Sequence, residues 1–445
     1  MHQEIFKAYD VRGIYPTEID EDAVYKIGHA VVAELSAKTL AVGRDARESG
    51  PSLHTALLNG ITDAGCDVVD LDMITTPMLY YSSHALDVDG AVSVTASHNP
   101  GEYNGVKICR RDAQPVGSAT GLNDIRDAVI AGTFTKSHRK GTVTTYNIRP
   151  SYYEYFSKFA AFGDKKFTIV VDCANTMGVL ELPFYKKYFA DNFNVIELYC
   201  DLTNAYNAHE ANPLKTETLR ELQEKVIAEK ADLGIAYDGD ADRIGFVDET
   251  GAVIPMDLTT GLIAKVLLEN NIGATILYDL RSSRAVKEVI EESGGIAHEC
   301  RVGHAFIKAQ MREENALFSG ELSGHYYFQA NKNGEVSTLA AFTLLNLMAQ
   351  TGQKISELVA NLRRYAHSGE INSEVHDKDA VIATLKEKFS DGTLSELDGI
   401  KIDYPDWWFN VRPSNTEPVL RLNCEAKTQE IMEQKRDELL AIIRS

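Results

Sequence analysis

The chain has 445 residues, which is too many for one hydrophobic core and predicts about two to four domains. Its composition, 44% hydrophobic and 25% charged, is typical of globular proteins. The net charge of −20 argues against nonspecific binding of nucleic acid, which depends on a cationic surface, and any phosphate site must therefore be a local pocket of basic side chains and backbone amides.

Three stretches of the chain begin alike, at residues 40–45, 167–172 and 274–279. Each is a short apolar or β-branched run that ends in aspartate and precedes a helix-like segment, as expected of a buried strand in a βα unit. A second apolar run follows after Gly65, Phe193 and Gly294. A third run ends in a polar loop in each unit: 90–94 before TASHNP, 233–237 before DGDADR and 316–319 before GELSGH.

This pattern predicts three α/β units related by duplication. The third strand of each unit would deliver its loop to a common centre, because ligands of open α/β sheets bind beyond the carboxyl ends of the strands. The tail differs in character after Gly369. It holds an aromatic segment at 406–409, the loop RPSNTEP, a strand at 419–423 and a charged helix, which together predict a smaller α+β domain.

Several features of the chain exclude other classes of protein. No apolar run is long enough to span a bilayer, and the run at 338–349 is interrupted by Asn346 and predicts a buried helix. The N-terminus lacks a basic start followed by an apolar stretch, so we expect no secretory signal. The six cysteines are scattered singly without a CxxC pair, which fits a reducing cytoplasm and predicts neither a disulfide framework nor a cysteine-rich zinc site.

The loop at 95–107, TASHNPGEYNGVK, has the composition of a catalytic loop. Pro100 favours a turn, and small neighbours leave Ser97 approachable. His98 and Lys107 can supply positive charge and proton transfer beside a hydroxyl that attacks or carries a phosphoryl group. The alternative is an ordinary Asn-Pro turn with polar residues.

The loop DGDADR places Asp238, Asp240 and Asp242 directly after an apolar run. On a tight loop three such carboxylates can converge on a hard divalent cation such as Mg²⁺, and Arg243 could pair with a phosphate there. The spacing to Glu249 also imitates a calcium-binding EF-hand. That motif is rejected because Arg243 stands where it needs glycine and a strand precedes the loop. A solvated acidic turn remains the alternative.

The loop GELSGH pairs a carboxylate with a hydroxyl between two glycines. Glu321 and Ser323 have the chemistry to accept from and donate to vicinal sugar hydroxyls. A glycine-flanked turn would explain the same residues.

The loop RPSNTEP has the features of an anion site. Backbone amides, the hydroxyls of Ser414 and Thr416, and the guanidinium of Arg412 match the acceptors of a phosphate. A proline-bounded surface turn is the alternative interpretation.

Three further residues are ambiguous from the sequence alone. Arg12 could reach a phosphate or form a structural ion pair. His304 and Lys308 share a helix face, and either could simply be exposed. Taken together, the loops offer a nucleophilic hydroxyl, a hard-metal site, a pair that binds hydroxyls and an anion site. This combination indicates phosphoryl transfer on a polyhydroxylated substrate.

With its four loops in the order TASHNP, DGDADR, GELSGH and RPSNTEP, the chain resembles the α-D-phosphohexomutase family over almost its whole length. The resemblance implies an α/β fold of three similar α/β/α domains with mixed sheets and a smaller C-terminal α+β domain, around a central cleft. We expect domain limits of 1–147, 148–250, 251–366 and 367–445.

The resemblance also implies an activity. Phosphorylated Ser97 would interconvert hexose 1-phosphates and hexose 6-phosphates, of mannose and also glucose, through a bound 1,6-bisphosphate. Mg²⁺ would be the cofactor and hexose 1,6-bisphosphate the activator. The alternatives are a phosphoglucosamine mutase and a non-catalytic protein that binds phosphosugars. We expect a cytoplasmic monomer or homodimer with no nucleic-acid or membrane partner.

The expected residue roles fall into three groups. The catalytic residues are Ser97, Lys107, His325, Arg12 and His98. Residues expected to bind substrate are Arg243, His304, Lys308, Glu321, Ser323, Arg412, Ser414, Asn415, Thr416 and Arg421. The expected metal ligands are Asp238, Asp240, Asp242 and an oxygen on phosphorylated Ser97.

Three features depart from the family pattern. Ala96 replaces a common glycine, Asn331 and Asn333 stand where relatives often have aspartates, and Leu322 leaves the sugar preference open.

Overall fold

The computed structural model describes residues 2–132, 134, 137–414 and 419–445. Within these residues the chain forms four β-sheets, one after another along the sequence. None of the described helices is both long and apolar enough to cross a membrane.

The first sheet has the strand order β1-β5-β4-β2-β3-β7, with β6 paired to β5. Its strands are β1 (Val11–Ile14), β2 (Thr39–Arg44), β3 (Asp67–Met73), β4 (Gly90–Val94), β5 (Tyr103–Arg110), β6 (Gln114–Pro115) and β7 (Val143–Thr145). Its helices are α1 (Glu21–Leu35), α2 (Gly50–Asp63), α3 (Thr76–Ala85) and α4 (Asn123–Ala131). Leu40 and Val42 pack in a core with residues of α1, α2 and α4, whereas Ala41 packs in the core that includes α3 residues, as the two-residue period of a strand requires.

The second and third sheets repeat this plan. The second, ordered β12-β11-β10-β8-β9, holds β8 (Phe167–Asp172), β9 (Phe193–Leu198), β10 (Leu233–Tyr237), β11 (Ile244–Asp248) and β12 (Val253–Ile254). The third, ordered β14-β13-β15-β16-β17, holds β13 (Thr275–Asp279), β14 (Ile296–Cys300), β15 (Phe318–Gly320), β16 (Tyr326–Phe328) and β17 (Gly334–Glu335). The helices of this part are α5 (Arg149–Ser157), α6 (Arg220–Glu229), α7 (Met256–Leu268), α8 (Arg284–Glu292), α9 (His304–Glu313), α10 (Ser337–Thr351) and α11 (Ile355–Ala360).

The same pairing recurs in all three sheets. One strand lies parallel to its neighbour and is followed by an antiparallel partner: β4 by β5, β10 by β11 and β15 by β16. The loops TASHNP, DGDADR and GELSGH connect these pairs. The prediction of three similar α/β units with mixed sheets is therefore confirmed.

The fourth sheet is antiparallel and differs in topology, with the order β18-β23-β22-β21-β20 and β19 paired to β23. Its elements are β18 (Ala366–His367), β19 (Ile371–Glu374), α12 (Lys378–Lys388), β20 (Thr393–Ser395), β21 (Ile400–Asp403), β22 (Trp407–Pro413), β23 (Val419–Ala426) and α13 (Gln429–Ile443). The prediction of a smaller α+β domain is confirmed, and RPSNTEP begins at Arg412 within β22.

The apolar run at 338–349 lies within α10 and is largely buried, as predicted. Val253–Ile254 still pairs within the second sheet, which thus extends beyond the expected limit at residue 250. The domain limits themselves stay predictions.

A buried carboxylate, Glu181, lies where the first three units meet. Its Oε1 accepts a hydrogen bond of 3.0 Å from Thr75, which precedes α3. Its Oε2 accepts one of 2.8 Å from Thr338 in α10 and one of 3.4 Å from Tyr152 in α5. Burial raises the pKa of Glu181 to about 7, although these hydroxyls act to lower it.

We expect Glu181→Gln to remove a pH dependence of stability. Between the ordinary pKa of 4.5 and the folded value of about 7, the folded protein keeps a proton that the unfolded chain has released. Stability therefore falls as pH rises through this interval, by up to about 3 kcal/mol. The midpoint of thermal unfolding, measured from pH 5 to 8, should fall in the wild type and stay nearly level in Glu181→Gln. The exposed α6 variant Glu224→Gln serves as a control that keeps the wild-type slope, and an equal slope in Glu181→Gln contradicts the assignment.

Candidate active site

Ser97 lies in the loop after β4 and is only 1% exposed. Its Oγ donates a hydrogen bond of 3.1 Å to Asp238 Oδ2 and lies 3.2 Å from His98 Nδ1. Its φ of 50° is left-handed, a conformation that costs an L-residue about 1 kcal/mol. Other contacts must therefore hold the loop in this shape.

Arg47, which the sequence interpretation missed, supplies those contacts. Its guanidinium donates to four carbonyl oxygens of the loop, at 2.5 to 2.9 Å, on Ser97, Asn99, Pro100 and Tyr103. The Arg47 side chain is buried, and two further contacts fix it. Its Nε lies 3.0 Å from Asp45 Oδ2, and its guanidinium carbon lies 4.1 Å from the centroid of the Tyr206 ring. Arg47 follows β2 closely, at the same edge of the sheet as the serine loop. This position in the sequence could have indicated a role beside that loop.

We expect Arg47→Lys to lower kcat/KM by about a hundredfold, because a single ammonium cannot hold four carbonyl groups and a small displacement of a nucleophile is costly. Steady-state assays measure this loss, and circular dichroism checks that the fold is kept. The neighbouring Arg44, whose ion pair with Asp72 lies at the surface, gives the matched control Arg44→Lys. Activity of Arg47→Lys within twofold of the control contradicts the assignment.

The serine loop and the DGDADR loop are in direct contact through Gly239. A Cβ added there would lie 2.1 Å from the carbonyl oxygen of Ser97, so no side chain fits. The absence of a side chain at this position allows the hydroxyl to reach the carboxylates.

The carboxylates of Asp238, Asp240 and Asp242 converge, with one oxygen of each within 4.8 Å of the others. All three residues are at most 2% exposed. Lys107 Nζ lies 2.7 Å from Asp240 Oδ2 and 2.5 Å from Asp242 Oδ2, and Thr76 Oγ1 donates to Asp240 Oδ2 at 2.6 Å. Asp240 Oδ1 is buried and receives no hydrogen bond from the described residues.

The electrostatics of this cluster favour a cation. Burial raises the pKa of Asp238 well above its ordinary value, and the carboxylates of Asp242 and Asp240 add to the effect. Burial also acts to raise the pKa of Asp242, but Lys107 and His325 outweigh it and hold that pKa well below normal. A divalent cation here would relieve the repulsion among the carboxylates that adds to the raised pKa of Asp238. Together with the unpartnered oxygen of Asp240, this donor set fits a hard divalent cation such as Mg²⁺.

His325 joins the metal loop to the loop GELSGH. Its Nε2 lies 3.3 Å from Asp242 Oδ1, and its Nδ1 lies 2.7 Å from Ser323 Oγ and 3.1 Å from Glu321 Oε2. Burial acts to lower the pKa of His325, but Asp242 and Glu321 raise it to about 9, so the imidazole is protonated at neutral pH. The two loops also share a backbone hydrogen bond of 3.0 Å from Ile244 N to Gly324 O.

The remaining basic residues near Ser97 differ in charge state. Arg12 pairs with Asp10 at 2.7 Å and donates to Asn99 Oδ1 at 2.7 Å, so it forms an ion pair and also contacts the serine loop. Arg243 N donates to Asp238 Oδ1 at 3.0 Å, with Nε 4.0 Å from Oδ2. Burial, followed by the charges of Arg243 and Arg12, lowers the pKa of His98 far enough to keep it neutral.

The two residues of α9 lie in different surroundings. Burial, followed by the charge of Lys308, lowers the pKa of His304 well below normal and leaves it neutral. Lys308 is fully buried, with Nζ 2.6 Å from Glu335 Oε2 and 3.6 Å from the ring centroid of Tyr80. The alternative of an exposed Lys308 is wrong. Its contacts are with Glu335 and Tyr80, and its expected contact with substrate stays a prediction.

The segment with amides in place of aspartates is structural. Asn331 is buried, its Oδ1 lies 2.9 Å from His84 Nε2 of α3, and its Nδ2 donates to Glu335 O at 3.3 Å. It therefore links the first and third units.

The expected anion site gathers three guanidinium groups around one carboxylate, Glu370. Its oxygens lie 3.0 Å from Arg281, 3.1 Å from Arg412 and 3.3 Å from Arg421. Burial acts to raise the pKa of Glu370, but the three arginines lower it to about 2. Ser414 is buried beside them, whereas Asn415 and Thr416 lie outside the described residues.

A continuous set of polar contacts connects Ser97 to the anion site. From the metal loop it runs through Asp242–His325 (3.3 Å), His325–Glu321 (3.1 Å), Glu321–Arg281 (3.8 Å), Arg281–Glu370 (3.0 Å) and Glu370–Arg412 (3.1 Å). The described residues of the four loops thus meet at one site, as predicted. Arg281 and Glu370, like Arg47 and Thr76, were not identified from the sequence.

A buried serine beside a converged carboxylate triad, joined to a cluster of arginines, has the features of a phosphoryl-transfer enzyme that acts on an anionic substrate. Sequence models of phosphoglucomutase/phosphomannomutase match the chain in four parts: α/β/α domain I at residues 3–136, domain II at 150–251, domain III at 255–365 and the C-terminal domain at 370–442. The chain therefore belongs to the phosphoglucomutase/phosphomannomutase family and is a hexose phosphate mutase.

Individual relatives are similar over almost their whole length. A phosphomannomutase of Methanocaldococcus jannaschii is 39% identical, covering 99% of this chain and 97% of that protein. A phosphomannomutase/phosphoglucomutase of Pseudomonas aeruginosa is 36% identical, covering 96% of this chain and 93% of the other. The crystal structure of a phosphoglucomutase/phosphomannomutase family protein from Burkholderia thailandensis superimposes with a TM-score of 0.91 at 30% identity, over 99% of this chain and 97% of that one.

Proposed function

We propose that this enzyme interconverts the 1-phosphates and 6-phosphates of mannose and of glucose through a phosphoserine at Ser97. The observation that carries the proposal is the hydrogen bond of 3.1 Å between Ser97 Oγ and Asp238. This contact between the hydroxyl and a carboxylate of the triad supports a nucleophilic role for Ser97 beside a divalent cation. The names of the relatives, phosphomannomutase and phosphomannomutase/phosphoglucomutase, support the choice of sugars.

Phosphoryl transfer breaks the Oγ–P bond of phosphorylated Ser97 and forms an O–P bond to a hydroxyl of the sugar monophosphate, giving a 1,6-bisphosphate. The bisphosphate then turns over and returns its other phosphoryl group to Ser97. When Mg²⁺ is bound by Asp238, Asp240, Asp242 and an oxygen of the phosphoserine, it would neutralise charge on the transferring group. Hexose 1,6-bisphosphate would act as an activator because it can phosphorylate a free Ser97.

The proton transfers are assigned to groups of this site. Neutral His98, at 3.2 Å from Ser97 Oγ, can take the proton of the serine once the hydroxyl has rotated from Asp238 toward His98 Nδ1. His325 and Lys107 are positively charged and lie against carboxylates of the metal loop. Both can exchange protons with substrate hydroxyls. Glu321 and Ser323 would bind two sugar hydroxyls, while Arg243 and His304 would line the site.

The distal phosphate would bind where Glu370 now pairs with Arg412 and Arg421, with Ser414, Asn415 and Thr416 as further partners. Lys308 would act in substrate binding only through a rearrangement of its pair with Glu335. We further propose a cytoplasmic monomer or homodimer. The six cysteines, all free thiols, support a reducing compartment.

A coupled assay tests the proposal. Purified protein is given mannose 1-phosphate or glucose 1-phosphate with Mg²⁺ and a trace of bisphosphate, and formation of the 6-phosphate is expected. Faster turnover of glucosamine 6-phosphate would favour a phosphoglucosamine mutase instead. If no hexose or hexosamine phosphate is converted, and intact mass shows no phosphate on Ser97 after treatment with bisphosphate, the non-catalytic alternative replaces the proposal.

We expect Arg412→Ala to raise KM for either hexose phosphate by about 10- to 100-fold, since a charge-assisted hydrogen bond contributes about 1.5–3 kcal/mol. The affinity for Mg²⁺ should not change, because Arg412 reaches the metal loop only through intervening residues. Isothermal titration with Mg²⁺ and with substrate separates the two effects. Arg436→Ala, an arginine of α13 paired with Asp437, is the matched control. Loss of Mg²⁺ affinity in Arg412→Ala contradicts the assignment.

A further inference from the structure

Cys173 and Cys200 lie side by side just beyond the carboxyl ends of the parallel strands β8 and β9. Their sulfur atoms are 3.0 Å apart, and Cys173 N donates to Leu198 O at 3.1 Å, which fixes the two strand ends together. We infer that this pair is a redox-sensitive dithiol, which a peroxide converts to a disulfide and which thereby alters the serine loop. The covalent step does not depend on the proposed function.

The backbone around the two cysteines is held in an uncommon conformation. Ala174 and Asn175, directly after Cys173, have φ values of 46° and 52°, and Tyr199, directly before Cys200, has a φ of 49°. Left-handed conformations of this kind are costly for L-residues, and they concentrate at ligand sites and switches. These turns bring two side chains on neighbouring strands into contact.

The two thiols differ in access. Cys200 is half-buried, whereas Cys173 and the other four cysteines of the chain are buried. Burial also raises the pKa of the Cys173 thiol well above its ordinary value, so Cys200 is the group that meets an oxidant first.

The chemistry balances with one equivalent of peroxide. The Cys200 thiolate attacks the peroxide oxygen, giving a sulfenic acid and releasing water after proton transfer. The sulfur of Cys173 then attacks the Cys200 sulfur and forms the S–S bond, and the hydroxyl leaves as a second water with the proton of the Cys173 thiol. The sulfur atoms approach from 3.0 Å to about 2 Å in this step.

Hydrogen bonds connect this pair to the serine loop. Asp201 N, next to Cys200, donates to Asn175 Oδ1 at 2.9 Å, and Tyr206 N donates to Asn175 O at 3.3 Å. Tyr206 in turn donates to Gly239 O at 3.0 Å, and its ring lies 4.1 Å from the guanidinium carbon of Arg47. A displacement at Cys200 therefore reaches the side chain that holds the Ser97 loop.

The experiment uses the purified enzyme before and after hydrogen peroxide. Intact mass should decrease by two hydrogens, and peptide mapping after alkylation should find Cys173 and Cys200 protected and joined. We expect mutase activity to fall roughly tenfold in step with this modification, and to return with dithiothreitol. Cys200→Ser should keep its activity under the same treatment, whereas the control Cys66→Ser, a buried cysteine of the first unit, should respond like the wild type.

Three results would overturn the inference. One is free alkylation of both cysteines in the treated wild type, which shows that no disulfide forms. This measurement does not depend on the folding of any variant. The second is formation of the disulfide with no change in activity, and the third is an equal loss of activity in Cys200→Ser and in the second variant Cys173→Ala. Either of these two results removes the link to the serine loop.

Discussion

Ser97→Ala is expected to lower kcat by about a thousandfold or more while sugar phosphates still bind, because the variant loses the hydroxyl proposed to carry the phosphoryl group. The hydroxyl is buried in direct contact with Asp238, so its removal takes away a nucleophile and leaves the arginines of the anion site in place. A coupled assay gives kcat, and calorimetry with glucose 1-phosphate gives the binding constant.

Intact mass provides a second reading for the same variant. Wild-type protein treated with hexose 1,6-bisphosphate should gain one phosphoryl group, and Ser97→Ala should gain none. Ser82→Ala is the matched control, since Ser82 is also buried but its hydroxyl only donates to Leu79 O within α3. Near-full activity in Ser97→Ala would exclude Ser97 as the nucleophile.

Asp238→Asn is expected to weaken Mg²⁺ binding by at least about tenfold and to lower kcat/KM by about a hundredfold, because an amide removes one charge from the carboxylate triad. The amide keeps the size of the side chain and can still accept from Ser97, so a loss reports on charge. Titration with Mg²⁺ measures the affinity. A chelator should likewise abolish wild-type activity, and added Mg²⁺ should restore it.

The control for this substitution is Asp248→Asn. Asp248 is a buried aspartate at the end of β11, and it accepts hydrogen bonds from Thr250 and Ala252 in a turn. It should leave the Mg²⁺ affinity unchanged even if it lowers stability. Equal Mg²⁺ affinity in Asp238→Asn and the wild type would place the metal elsewhere.

The repeated architecture and the loops that meet could be predicted from the sequence, because both depend on local pattern. Apolar runs of strand length, ending in aspartate or in a polar loop, indicate where a strand stops and what its end presents. The carboxylates of Asp238, Asp240 and Asp242 converge for this reason, since alternate positions on one short loop remain near one another in any compact conformation.

Contacts between distant parts of the chain could not be predicted in this way. The position of Arg47 after β2 indicates a residue near the serine loop, but nothing in the sequence shows that four carbonyl groups of that loop surround it. Lys308 shares a helix face with His304, yet its partners, Glu335 and Tyr80, lie on other elements that cover it. The surroundings of such side chains are set by tertiary packing. A single sequence does not show which distant residues pack against one another.

A ligand of the anion site must compete with Glu370 for the arginines. The Glu370 carboxylate already pairs with three guanidinium groups, so a ligand must offer them a stronger interaction than one carboxylate does. A phosphate dianion brings two charges and three acceptor oxygens, whereas a sugar acid brings only another carboxylate and a neutral sugar brings no charge. We therefore expect uronic acids and free hexoses to bind more weakly than hexose phosphates.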